Sequence, residues 1–366
     1  MTKVNEGDSM KFRTLLIVCI TVLFAVSAQG QHRASLKAGK AQLKSAGALT
    51  FGPEGILFVG DSAGGAVYAL DTNDQTAATG AAKVEVAGLN SKISAMLGTT
   101  ADQILINDVA VNPISRKIYV SVSRGRGTAA VPLIMRVDAS GKIEELALQN
   151  IAHSSAALPN TPTGERQRLD TITDLAFLKD VVYVAGLSNE EFSSNLRSIP
   201  FPFKQVEKGT SVQIYHGSHG QWETNSPVRT FVAYEIGNKP HLIAAYTCTP
   251  IVKLPIESLK PGSKVTGTTI AELGAGNRPL DMIVYKKGGA EFILMNNSSR
   301  GVMKMPTAKM ETYGPITKPT DIAGLPYQTI AGLTGVEQLD AYDATNAVIL
   351  ARGAGGMLDL KTVALP

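Results

Sequence analysis

Apolar and polar positions recur along this chain in a unit of about sixty residues. Each unit opens on an acidic or small residue, runs into a short apolar strand, turns, and returns in a second strand rich in Val, Ile and Tyr. Gly47–Phe51 leads to Ile56–Gly60, Asp108–Asn112 to Ile118–Ser121, and Asp174–Phe177 to Val182–Ala185. Thr230–Tyr234 leads to Leu242–Tyr246, Asp281–Tyr285 to Phe292–Met295, and Asp340–Asp343 to Val348–Ala351, so six copies fit the chain. Each copy also carries a third apolar stretch, such as Val67–Leu70, Ile134–Val137, Val212–Tyr215 or Val302–Met305. A fourth can follow a polar hairpin tip, as Ile143–Leu146 follows Asp138–Lys142.

One small antiparallel sheet cannot bury both faces until neighbours stack on it, and a closed ring of sheets supplies those neighbours. The pattern therefore predicts an all-β, six-bladed β-propeller of four-stranded antiparallel blades. The last copy runs out after Met357–Val363, one strand short. An N-terminal strand around Leu36–Leu43 is expected to close that last blade, because an unpaired edge would invite aggregation.

Composition adds location and exclusions. Lys11 and Arg13 precede the apolar run Leu15–Val26, and the small residues Ser27 and Ala28 follow, the layout of a cleavable secretory signal. The run is too short to span a bilayer comfortably. The expected organisation is a signal peptide over 1–30 and a single propeller domain over 31–366, secreted or periplasmic, with no transmembrane anchor after cleavage. Cys19 lies in the signal and follows Val18, unlike a lipid-attachment site, and its removal leaves Cys248 as the sole thiol, so no intrachain disulfide is expected. A net charge of +4, spread through strands and loops, gives no concentrated basic surface for phosphate tracking, so nucleic acid is not an expected partner. A monomer is the expected state.

In an antiparallel blade the start of the inner strand and the end of the second strand share one end, so both should border one mouth of the central channel. That register places Gly47, Asp108, Asp174, Thr230, Asp281 and Asp340 at the inner-strand starts. Asp61, Arg124, Asn189, Cys248, Asn297 and Arg352 fall at the second-strand ends, with Asn107, Arg229 and Arg278 just before their inner strands. Insertions gather at the same end: 89–103 with a short helix near Lys92–Leu97, 152–171, and Ser188–Arg197 leading into Ile199–Phe203. Long loops on one face of a rigid ring commonly carry binding. The expected ligand-binding set is Asp108, Asp174, Asp281, Asp340, Asn107, Arg124, Arg278, Asn297 and Arg352.

An aspartate entering a strand often only caps nearby backbone N–H groups. Four of them around one opening would otherwise repel, and a cation, neighbouring arginines or a protonated member must offset them. Calcium suits such oxygen ligands. His216 and His219, in Tyr215–Trp222, have a spacing that could hold zinc, but the register sets His216 level with Asp138 beside a hairpin tip, where an exposed turn around a packed Trp222 is the plainer account. Cys248 lacks an identifiable adjacent base, so a small half-buried residue is expected there. Signatures for covalent haem, phosphate loops, nucleophile elbows and zinc-protease helices are absent from the sequence.

Phe51–Asp61 resembles the blade unit of NHL-type propellers, and Asp108–Pro113 through Tyr119–Ser121 resembles the YVTN unit, both within TolB-like six-bladed propellers. The resemblance implies the fold and leaves activity open. Six-bladed calcium-dependent lactonases and gluconolactonases hold a metal over the channel with Asn, Asp and Glu from inner strands. Similarity to them implies Asn107, Asp108 and Asp281 as metal ligands and Ca2+ as a cofactor, although Gly47 stands where a carboxylate would be wanted and Glu54 falls at the opposite end. Two functions of different class follow: a recognition module for a protein, peptide, glycan or small molecule, and a calcium-dependent hydrolase of lactones or similar esters.

Overall fold

The computed structural model describes residue 2 and residues 30–80, 83–248 and 250–366. The expected signal peptide, with Cys19, otherwise lies outside the described residues. Six small, mainly antiparallel sheets form the six blades of a β-propeller. Their innermost strands are Leu49–Phe51, Ile104–Val111, Asp174–Leu178, Val228–Ile236, Pro279–Lys287 and Val336–Ala341, numbered here as blades 1 to 6 in chain order.

The ring does not follow chain order. Contacts between inner strands run from blade 5 to 6, 2, 1, 3, 4 and back to 5, so blade 1 sits between blades 2 and 3. After the third strand of blade 1, Ala66–Asp71, the chain passes the far end of blade 2, where Ala78 N donates to Ile114 O. The buried Asp74 anchors this passage by accepting from Tyr119 Oη at 3.0 Å and Ser115 Oγ at 2.6 Å and pairing with Lys117 Nζ at 2.9 Å. Only then does Glu85–Val86 join the last blade beside Leu358–Ala364.

A strand from the N-terminal part of the chain thus closes the last blade, as the strand count required, but it is Glu85–Val86 rather than Leu36–Leu43. Two residues are too few to leave a periodic pattern. Lys37–Gly39 instead forms the outer edge of blade 1, against Ile151–Ala157, which is itself the fourth strand of that blade and not part of a long loop. In blade 3 the third strand is Ser194–Pro200, which the sequence presents as an insertion, and Val212–Tyr215 belongs to the fourth, Thr210–His216. The third strand went unread because buried Asn195 and Arg197 interrupt its apolar positions.

The core is divided into wedges along the seams between blades. Phe58, Phe177, Phe201 and Phe203 pack ring against ring at the seam of blades 1 and 3. Met282, Met295, Met303, Met305 and Met310 fill the seam of blades 4 and 5. Each wedge removes apolar faces from water that a lone blade would expose.

Candidate functional site: the channel and its mouth

Inner strands present an unpaired edge to the central channel, and its N–H groups need acceptors. At one level those acceptors are three aspartates. Asp108 Oδ1 accepts from Val109 N at 2.8 Å and Oδ2 from Leu49 N at 2.6 Å. Asp174 accepts from Leu175 N and Phe231 N, both at 2.7 Å. Asp281 accepts from Met282 N at 2.8 Å and Leu339 N at 3.0 Å. Each carboxylate ties its own blade to the next, and together the three engage one N–H from each of the six inner strands.

Asp340 behaves alike but one step further along its strand, accepting from Ala341 N and Val111 N, both at 2.7 Å. A bulge between Val336 and Gln338 makes Gln338, not Asp340, the counterpart of Asp281, which follows a matching bulge after Pro279. Aligning aspartate on aspartate therefore set Asp340 two residues too near the mouth. Sequence reading missed Gln338 because a bulge leaves no mark in the hydrophobic pattern.

The level of Asp108, Asp174 and Asp281 divides the channel. Toward the mouth lies a cavity of about 50 Å³ lined also by Ala48, Asn107, Arg229, Thr230 and Gln338. Beyond it lies one of about 310 Å³, walled by residues such as Phe51, Phe177 and Val232 and bordered by Asp340. The four carboxylates are half-buried toward this narrow space, with protein on every side. Burial raises Asp108 well above the usual range, against the Leu49 N–H and with the Asp174 charge adding to the rise. Asp281 rises likewise through burial and then through Asp108 and Asp174. Burial lifts Asp174 to about 7 and Asp340 to about 6, in each case against two backbone N–H donors.

The remaining predicted residues lie at different depths. Asn107 Nδ2 donates to Ala46 O at 2.7 Å and Ser123 Oγ at 3.0 Å, bracing blade 2 on blade 1. Asn297 is buried and structural: its Nδ2 donates to Asn277 Oδ1 at 2.8 Å, and its Oδ1 accepts from Ser299 N and Arg300 N. Arg124, Arg278 and Arg352 are exposed, the last holding Glu337 with two nitrogens. Arg229 pairs with Asp170 at 2.7 Å, and partial burial together with the like charge of Arg229 lowers the Arg278 pKa. Cys248 is half-buried in a turn with φ of 59°.

Expected loops do border this end: the helix Leu89–Met96 precedes blade 2, and residues 158–173 precede blade 3. Asn107, Asp108 and Asp281 all line the mouth cavity, with Asp174 beside them, but among the described residues these carboxylates do not bring three ligand oxygens within 4.8 Å of one another.

No protein-family model and no curated protein matches the sequence. Solved propellers do. The chain is similar to the PQQ-bound aldose sugar dehydrogenase of Streptomyces coelicolor at 11% identity, over 89% of this chain and 96% of that one, with a TM-score of 0.37. It is similar to the plexin A4 extracellular region at 9% identity, over 90% of this chain and 47% of that one, with a TM-score of 0.41. The Cps50 (Swd1) propeller domain of Myceliophteria thermophila aligns at 7% identity, over 90% of this chain and 100% of that one, with a TM-score of 0.36. These are distant likenesses of fold.

Proposed function

We propose that the protein is an exported recognition module that binds a protein, peptide or glycan at the loop-bearing mouth. The observation that carries this reading is the full engagement of Asp108, Asp174 and Asp281 by backbone N–H groups, under a mouth cavity of only about 50 Å³. Groups committed to holding strands are poorly placed to turn over a substrate, and so small a space favours contact across a rim over enclosure of a small molecule. Exposed Arg124, Arg278 and Arg352 around that rim suit acidic or hydroxyl-rich surfaces.

A second reading, the calcium-dependent hydrolase, draws on the convergence of three carboxylates whose mutual repulsion a divalent cation would relieve. A melt of the purified protein with calcium and with chelator, alongside screening on immobilised peptides and glycans, separates the two. The recognition reading expects an unchanged melt and a ligand whose affinity falls at least tenfold in Arg278→Ala. A melt raised by calcium and lost again in Asp281→Asn would overturn it in favour of the hydrolase.

A further inference from the structure

Blade 3 carries a second constellation, independent of the channel. Thr210–His216 and Gln221–Glu223 form a hairpin whose base lies beside the mouth end of the blade, since Ser194 N donates to Thr224 O. His216, at the end of the fourth strand rather than level with Asp138, faces His219 across the turn with ring centroids 3.8 Å apart. Glu223 reaches both: Oε1 lies 2.6 Å from His219 Nδ1 and Oε2 lies 3.1 Å from His216 Nδ1. One potential ligand atom from each of the three residues lies within 4.8 Å of the others.

Two further observations set this cluster apart from an ordinary turn. His216 is 1% exposed, yet its Nε2 has no partner and its Nδ1 meets Glu223 only as a close ionic contact outside hydrogen-bond geometry, and burying such a group so poorly satisfied is costly. The turn is also held from outside the hairpin. Glu272 of blade 4 accepts from Gly217 N at 2.5 Å and Ser218 Oγ at 3.0 Å, while Gly217 O accepts from Thr320 N. A Cβ at Gly217 would come within 2.9 Å of Glu272 Cγ, so glycine is what permits this clamp. Ser226 Oγ, donating to Glu223 Oε2 at 2.7 Å, fixes the carboxylate in turn.

We propose that His216, His219 and Glu223 form a binding site for a divalent transition-metal ion of the zinc class. Imidazole nitrogens favour such ions over calcium or magnesium, and two imidazoles with one carboxylate are a sufficient protein ligand set. Ser226 and Glu272 act around it, one orienting a ligand and the other the turn that spaces the histidines. Three protein ligands leave one tetrahedral position, and the 40% exposure of the His219 side chain gives solvent access to the cluster. Water or a donor from a bound partner would fill it. The metal would link the hairpin at the rim of blades 3 and 4 and would not depend on what the channel binds.

Trp222, the only tryptophan of the chain, adjoins Glu223 and packs edge-on against Tyr215 at 5.3 Å. Its fluorescence therefore reports on this hairpin alone. Chelator-treated protein titrated with zinc chloride should show a saturable one-to-one change, and cobalt chloride should develop the absorption bands of a four-coordinate ion. His219→Ala, at a half-exposed position, should keep the circular dichroism of the parent and weaken zinc at least a hundredfold, and Glu223→Gln should weaken it at least tenfold. No saturable response to zinc, cobalt, nickel or copper below millimolar concentration would overturn the site. So would equal zinc affinity in folded His219→Ala.

Discussion

Around the channel, blades 2, 3 and 5 bring Asp108, Asp174 and Asp281 to a level where blades 1, 4 and 6 bring Ala48, Thr230 and Gln338. In ring order the two kinds alternate. Six inner strands offer six N–H groups at that level, each carboxylate has two oxygens, and three carboxylates therefore suffice. A fourth there would add charge without a donor to meet, and a missing one would orphan two donors. The aspartates that look like a ligand ring in the sequence are first of all inter-blade fasteners.

The arrangement fastens seams unequally. Bridges cross from blade 2 to 1, 3 to 4 and 5 to 6, and Asp340 adds one from 6 to 2, whereas no aspartate of this set bridges the seams 1–3 and 4–5. Those two combine the phenylalanine and methionine wedges with local bonds such as Ser62 Oγ to Ile172 O across seam 1–3 and Cys248 N to Asn277 O across seam 4–5. The largest expected effect breaks one of them: Phe58→Ala, at a fully buried ring in contact with three others, should cost about 3–5 kcal/mol in denaturant unfolding. A loss below about 1 kcal/mol would mean that the wedge does not hold this seam.

Asp281→Ala tests a fastened seam. It leaves Met282 N and Leu339 N without acceptors, at about 1–3 kcal/mol for each orphaned donor, partly offset by relief of repulsion from Asp108 and Asp174. The net loss should be about 2–3 kcal/mol, read from the same unfolding curves. An unchanged midpoint would show that water satisfies these donors as well as the carboxylate does.

The same carboxylates set a pH dependence of unusual sign. Asp174 and Asp340 titrate near 7 and 6 in the fold, above the unfolded range, so the folded state holds their protons more tightly. Their contribution to stability is complete below about pH 4, near the unfolded pKa, and is lost as pH rises through 6 to 7. Melting temperature should therefore fall between pH 5 and 8, and Asp174→Asn should flatten that fall. A parent protein more stable at pH 8 than at pH 5 would contradict the buried, mutually repelling ring.

The six blades were legible because each repeats a strand pair that periodicity exposes, and Asp108, Asp174 and Asp281 because they recur at one place in that repeat. The exchange of blades 1 and 2 was not, since nothing local to residues 72–80 says which blade they pass. Nor was the closing strand Glu85–Val86, or the polar third strand Ser194–Pro200, whose buried Arg197 breaks the alternation. The His216 hairpin was misplaced with that strand, and Glu272, from another blade, could not be associated with it by spacing.

The mildest change gives the comparison its finest edge. Thr230 stands at the same level as Asp174 and is 2% exposed, and its hydroxyl lies beside the Asp174 carboxylate, near enough to favour its charged form but short of a well-formed hydrogen bond. If the alternation reflects a count of donors and acceptors, this position contributes little more than its small apolar volume. Thr230→Ala should then cost less than about 1 kcal/mol, the scale of one buried methyl group, and, with the hydroxyl no longer favouring the Asp174 charge, should leave the fall in melting temperature with pH at least as steep as in the parent. A loss matching that of Asp281→Ala would mean that the blades without carboxylates also fasten the ring, through Thr230 itself, and that three aspartates are not enough.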